Sequence, residues 1–309
     1  MHMAMAGHDL QTSPANQLGL PTAQHGGRLD AVAYRPWVGR DVAVDPSSAR
    51  VAIATGDAVI LATVPDLGPG RELRAPGAHQ VAFIPRRRLL AIAGPDGLRI
   101  RSLDRDAEPL RIRTPGPICA AVSDGGLIAI TGRVSRPHAT VGVWDLDRKG
   151  PLWTASVRDA QSCAWSPDGV LGVAGHGVSL FAWDGRVLPH FASPDPGPVT
   201  GICGFEPGFL FCGSGAAAHQ WDLDRFEHAR TLPVPRGGGR RSLSIWRGTL
   251  AAGNMQRGGV VALIDVESAR VEWSILGARA AAFAGRHLVV TGEGGTTVYE
   301  WDPPGQDLA

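Results

Sequence analysis

Residues 141–147 read VGVWDLD, and three relatives of that stretch follow: FAWDG at 181–185, HQWDLD at 219–224 and YEWDP at 299–303. Trp144, Trp183, Trp221 and Trp301 are separated by 39, 38 and 80 residues. The gap of 80 divides at Ile264 of ALID, and the series runs backwards through Leu103 of SLD and Val64 of ATVPD. Seven units of roughly 40 residues result, a period that belongs to repeat architectures. The expected structural role of these Trp residues is packing between sheets, with each Asp opening the next turn.

A second column supports the register. The stretches VAVDPSS (42–48), VAFIPRR (81–87), CAAVSDG (119–125), CAWSPDG (163–169), CGFEPG (203–208), LSIWRG (243–248) and AAFAGR (281–286) precede the endings. Their second residue is small throughout: Ala43, Ala82, Ala120, Ala164, Gly204, Ser244 and Ala282. Apolar neighbours flank it, a strand alternation. A further strand ends in Gly in most units (AIATG, LAIAG, IAITG, LGVAG, LAAG, VVTG). Four short strands per unit predict an all-β, seven-bladed β-propeller of four-stranded antiparallel blades. Small residues suit the innermost strands, where wedge-shaped blades converge. The last unit lacks a fourth strand, and RLDAVAY (28–34) is an orphan strand expected to close it, leaving a single domain over 28–309 and a flexible N-terminal tail over 1–27.

SPDGVLGVAG…SLFAWD (166–184) and ITG…VGVWDLD (130–147) resemble WD40 repeats, over almost all of 28–305. The resemblance implies an interaction scaffold within a larger assembly. The polar His–Ser/Thr–Asp–Trp set that such repeats often carry is incomplete in every unit: unit 2 has His79 and Asp96 but Ala93 and Leu103, and unit 3 has Thr131 and Trp144 alone. Cohesion is therefore expected from apolar packing between blades.

Composition agrees. Gly (41) and Pro (24) in 309 residues exceed the usual ~7% and ~5%, as frequent turning requires. A net charge of +1 argues against a nucleic-acid binder or a membrane-surface protein. The N-terminus lacks a signal-peptide pattern and no stretch approaches the ~18 apolar residues of a membrane span, so a soluble, cytoplasmic monomer is expected. Four Cys without a CxxC pair exclude a disulfide framework and a zinc ribbon.

Candidate chemistry is sparse. Cys119, Cys163 and Cys203 take one position in three successive units; equivalent positions in neighbouring sheets lie ~10 Å apart, too far for shared ligation at ~2.3 Å, so they are read as small buried residues and no metal or cofactor is expected. His138, His176 and Asp195 fall in loops of one face, where exposed loop residues are the reading adopted over an acid–base cluster. GxSxG, HExxH and phosphate-loop motifs are absent. Arginines are more informative, since Lys149 is the only lysine. Connections between blades and between second and third strands should share a face, and they carry Arg40, Arg133, Arg136, Arg158, Arg236, Arg240, Arg241 and Arg257, with Trp37 and His138 beside them. This set is the expected contact surface for a protein partner of acidic character. An enzyme at the mouth of the central channel and a nucleic-acid binder using the Arg rim are the alternatives.

Overall fold

The computed structural model describes residues 22–23, 27–45, 49–104, 109–114, 117–135, 138–194, 199, 201–214, 217–234, 241–254 and 258–303. Within them the chain is all-β and forms seven antiparallel sheets; six contain four consecutive strands, and the seventh joins the last three strands to one from the N-terminal side. The innermost strands are Asp41–Val44, Gln80–Ile84, Pro117–Val122, Ser162–Trp165, Gly201–Glu206, Arg241–Trp246 and Ala278–Ala284. Each contacts the next, and Ala278–Ala284 contacts Asp41–Val44, so the seven blades close into a ring.

Closure is as expected from the orphan strand. Arg28–Arg35 pairs with Gly295–Asp302, from Arg28 opposite Asp302 to Arg35 opposite Thr296, and completes blade 7. Its pairing covers an edge that would otherwise stand open. The segment before it is not free of structure throughout: Thr22–Ala23 adds a short fifth strand to blade 6, opposite Ser274 and Trp273. Trp273 Nε1 also donates to the Gly27 carbonyl at 2.9 Å.

The core has no single centre. Seven buried apolar clusters fill seven seams between neighbouring blades. Strand alternation explains this, because successive residues face opposite neighbours. In blade 2, Val81 and Phe83 join the seam with blade 1, whereas Ala82 and Ile84 join the seam with blade 3. Small residues of one innermost strand thus meet larger ones of the next blade. Apolar packing is supplemented by polar links that the repeat pattern did not reveal. Asp41 Oδ2 accepts from the Val81 N–H (3.0 Å), Gln80 Oε1 from the Ala120 N–H (3.0 Å), and Ser244 Oγ from the Phe283 N–H (3.1 Å). A side chain of one blade thereby satisfies an exposed backbone donor on the inner strand of the following blade.

Two columns need correction. The ladder shifts register between Pro117 and Cys119, so Ala121, opposite Ala129, takes the place that Ala82 (opposite Ala91) holds in blade 2. Cys119 therefore faces blade 4, and its sulfur lies 3.9 Å from that of Cys163 rather than a sheet spacing away. A similar shift falls between Ile202 and Gly204, which takes residue 203 out of the column as well. The second correction concerns Trp183. It is 59% exposed, whereas Trp221 and Trp301 are buried and Trp144 packs half-buried against the seam of blades 2 and 3. Phe181, opposite Leu171, holds the position that Trp221 holds opposite Leu210. Trp183 has left the strand and sits in the turn closed by the Gly185 N–H on the Ala182 carbonyl.

The strand-ending glycines have a steric cause. A Cβ on Gly175 would strike the Arg158 carbonyl, and one on Gly292 the Gly277 carbonyl. Only glycine lets the inter-blade connection lie this close to the second strand.

Candidate functional site

The same contacts define one face of the ring. The His176 N–H, in the second-to-third turn of blade 4, donates to the Arg158 carbonyl (3.1 Å) in the connection entering that blade. The Glu293 N–H reaches the Gly277 carbonyl (3.1 Å), and the Ala75 N–H the Asp57 carbonyl (3.0 Å). Inter-blade connections and second-to-third turns therefore share a face, as the repeat register required.

Blade 3 stands out on that face. Its outer three strands, Leu127–Ser135, His138–Asp145 and Gly150–Arg158, have 9, 8 and 9 residues. Their counterparts in blade 4, Val170–Gly175, Gly177–Ala182 and Val187–Phe191, have 6, 6 and 5. Blade 4 turns at once between Gly175 and Gly177, whereas blade 3 continues past Gly132 through Arg133 to Ser135. The three residues from Arg133 to Ser135 lift the hairpin about 10 Å beyond a blade-4 turn. The ladder places Ser135 opposite His138, and His138 opposite Arg158.

The expected contact residues divide accordingly. Arg133, His138 and Arg158 all belong to the projecting end of blade 3, His138 directly opposite Arg158 and Arg133 opposite Ala139, with the His176 backbone beside Arg158. Arg158 is largely exposed, its Nε 3.9 Å from the Asp159 carboxylate. Arg241 begins the innermost strand of blade 6, opposite Asn254. Arg40 is exposed in the connection from blade 7 to blade 1, its guanidinium over Gly56. Trp37, in that same connection, is half-buried: it packs on the seam of blades 7 and 1, lies against Gly70, and its carbonyl accepts Thr296 Oγ1 at 2.7 Å. Arg136, Arg236, Arg240, Arg257 and Asp195 lie outside the described residues. The described members share a face, and three of them lie in the raised end of blade 3.

No cluster of three or more metal-capable side chains occurs among the described residues. Cys119 and Cys163 are buried, with Ser162 Oγ 3.8 Å from the Cys119 sulfur, and Cys212 accepts Trp221 Nε1 at 3.2 Å. At the opposite mouth of the ring, a cavity of about 280 Å³ touches Ser123, Asp124, Trp165, Ser166 and Ser244. Trp165 Nε1 is buried there without a partner among the described residues. Close by in sequence, burial raises the Glu206 carboxyl above its ordinary range, opposed by a hydrogen bond from the Gly248 backbone. The cavity lining holds one carboxylate, Asp124, and no His or Cys to pair with it.

The fold thus defines a seven-bladed β-propeller with a raised hairpin on one face. Compared with known proteins, the chain matches no family model and no curated protein sequence. Among the described residues no helix is long and apolar enough to cross a membrane.

Proposed function

We propose that the chain is a WD40-type propeller that works in the cytoplasm as a non-enzymatic scaffold, holding an acidic protein partner on the raised end of blade 3. The observation that carries this reading is the three-residue extension of that blade beyond its neighbour. Arg133, His138 and Arg158 thereby sit on a three-stranded antiparallel element whose register shifts once between Arg133 and Ser135. Loops displayed on a rigid scaffold are where recognition concentrates. The stretch GRVSRPHA (132–139) carries two arginines and no carboxylate, so an acidic surface is its electrostatic complement. Fold alone does not establish function; the support is this local geometry and charge.

The test is site-specific photo-crosslinking in the native cell, with the reactive residue at position 158 and, as control, at position 225 on the opposite face. A discrete protein captured from 158 and absent from 225 is expected. Capture of nothing from 158, or of the same set from both, would overturn the reading.

A further inference from the structure

The outer edge of blade 2 carries a charge arrangement that the scaffold role does not use. Its outer strands are Gly97–Ser102 and Leu110–Ile112. Leu98, Ile100 and Ile112 are buried in the seam with blade 3. The alternation sends Arg99, Arg101 and Arg111 to the other face. Arg99 and Arg111 are directly opposite each other in the ladder, and Arg113 follows two residues on. Like charges at directly opposed positions destabilise a sheet.

Among the described residues, one solvated ion pair is all that offsets this group. Asp96 approaches Arg99 at 3.6 Å, but its side chain is 84% exposed while that of Arg99 is only 20% exposed. A pair so solvated contributes little. Arg74, Arg101, Arg111 and Arg113 have no ion pair within the described residues. Two cavities meet at the Arg99–Arg111 pair. One, of about 510 Å³, is bordered by Arg113, Thr114 and Asp96 as well. The other, of about 440 Å³, is bordered by Arg74 and Arg101. Both are within the size range of small-molecule sites. Thr114 borders the first cavity, and its Oγ1 is buried with no hydrogen-bond partner among the described residues. A buried hydroxyl of this kind carries a desolvation cost until something bonds it.

We infer that the first cavity is a binding site for a phosphate-type dianion, either free phosphate or a phosphate monoester of a small molecule. Arg99, Arg111 and Arg113 supply guanidinium forks that match tetrahedral oxyanions in bidentate fashion, and Thr114 donates its hydroxyl. The anion removes the repulsion between Arg99 and Arg111, so binding and blade stability are linked. The second cavity, with Arg74 and Arg101, leaves room for the remainder of an anionic ligand. The site is independent of the partner-binding reading, because it is tested on the isolated protein.

The experiment combines calorimetric titration with thermal melts, using inorganic phosphate and, separately, glycerol phosphate, against sodium chloride of equal ionic strength. Wild type should bind phosphate saturably and melt higher with it. Arg111→Ala, at an exposed position, should weaken binding at least tenfold. Without phosphate that variant should melt at or above wild type, since one repelling charge is gone. A Thr114→Val variant should lose affinity while melting, without phosphate, at or above wild type, since a buried unbonded hydroxyl is gone. Tighter binding of the monoester identifies the organic source; equal binding identifies free phosphate. An unchanged wild-type melt in phosphate, or an equal shift in Arg111→Ala, would overturn the site.

Discussion

Blades 3 and 4 are adjacent copies of one repeat, yet they end differently at both faces. Blade 4 turns at Gly175–Gly177, and the inter-blade connection lies directly on Gly175. Blade 3 runs on for three residues and projects. On the other face, Asp184 stays within its own turn, where the backbone and side chain of Arg186 hold its carboxyl below the ordinary range. Asp147 instead reaches across to blade 2, in a bidentate pair with Arg87 at 2.6 Å for both bonds. The repeat specifies the packed middle of each blade; turn length at its ends decides what is offered to a partner.

The comparison presumes a closed ring, so the largest effect should come from opening it. Removing residues 1–35 takes away the closing strand of blade 7 and should cost on the order of 4 kcal/mol or more, the range of severe lesions. Removing 1–26 forfeits, among the described residues, the Thr22–Ala23 pairing and should lower the melting temperature slightly. Equal melting temperatures for the two truncations would disprove strand closure. Next come the two aromatic residues of blade 4. Phe181→Ala empties the seam of blades 3 and 4, where Phe181 lies 5.4 Å from the Trp153 ring, and should cost about 3–5 kcal/mol in denaturant unfolding. Trp183→Ala should change stability by no more than about 0.5 kcal/mol. The reverse order would restore Trp183 to the packing column.

Smaller effects sharpen the contrast between the two ends. Gly175→Ala forces a Cβ against the Arg158 carbonyl and should cost about 1–3 kcal/mol by urea titration. Least affected should be Asp147→Asn. The hydrogen bond from Arg87 lowers the Asp147 pKa in the folded state. A depressed carboxylate pKa contributes stability above the unfolded-state value, and that contribution is lost as pH falls through the folded-state value. The variant should therefore melt slightly below wild type near neutrality and match it in acid. A difference that persists at low pH would assign the effect to something other than this charge pair.

Most of the blade architecture was legible because period and residue size repeat together. The slip at Cys119 was not, since one residue gained at a bulge leaves composition unchanged while turning every later side chain to the opposite face. Trp183 misled for a related reason: the Trp-Asp pair persists directly beyond Ala182, where the ladder ends. Of the candidate contact surface, the shared face followed from repeat register, and the pairing of His138 with Arg158 in the raised end of blade 3 needed the ladder. The Arg99–Arg111 pair was written in the sequence as RIR at 99–101 and again at 111–113. Its meaning depends on which of those arginines oppose each other, and pairing register is a tertiary fact.

The most direct test of the scaffold account is an affinity measured with purified components. The protein captured from position 158 would be titrated against wild type and against a ring whose residues 133–138 are replaced by a blade-4 turn, Gly-His-Gly. The two rings should melt alike, and the shortened one should bind at least tenfold more weakly. Undiminished affinity in a folded, shortened ring would contradict the claim that blade 3 carries the partner.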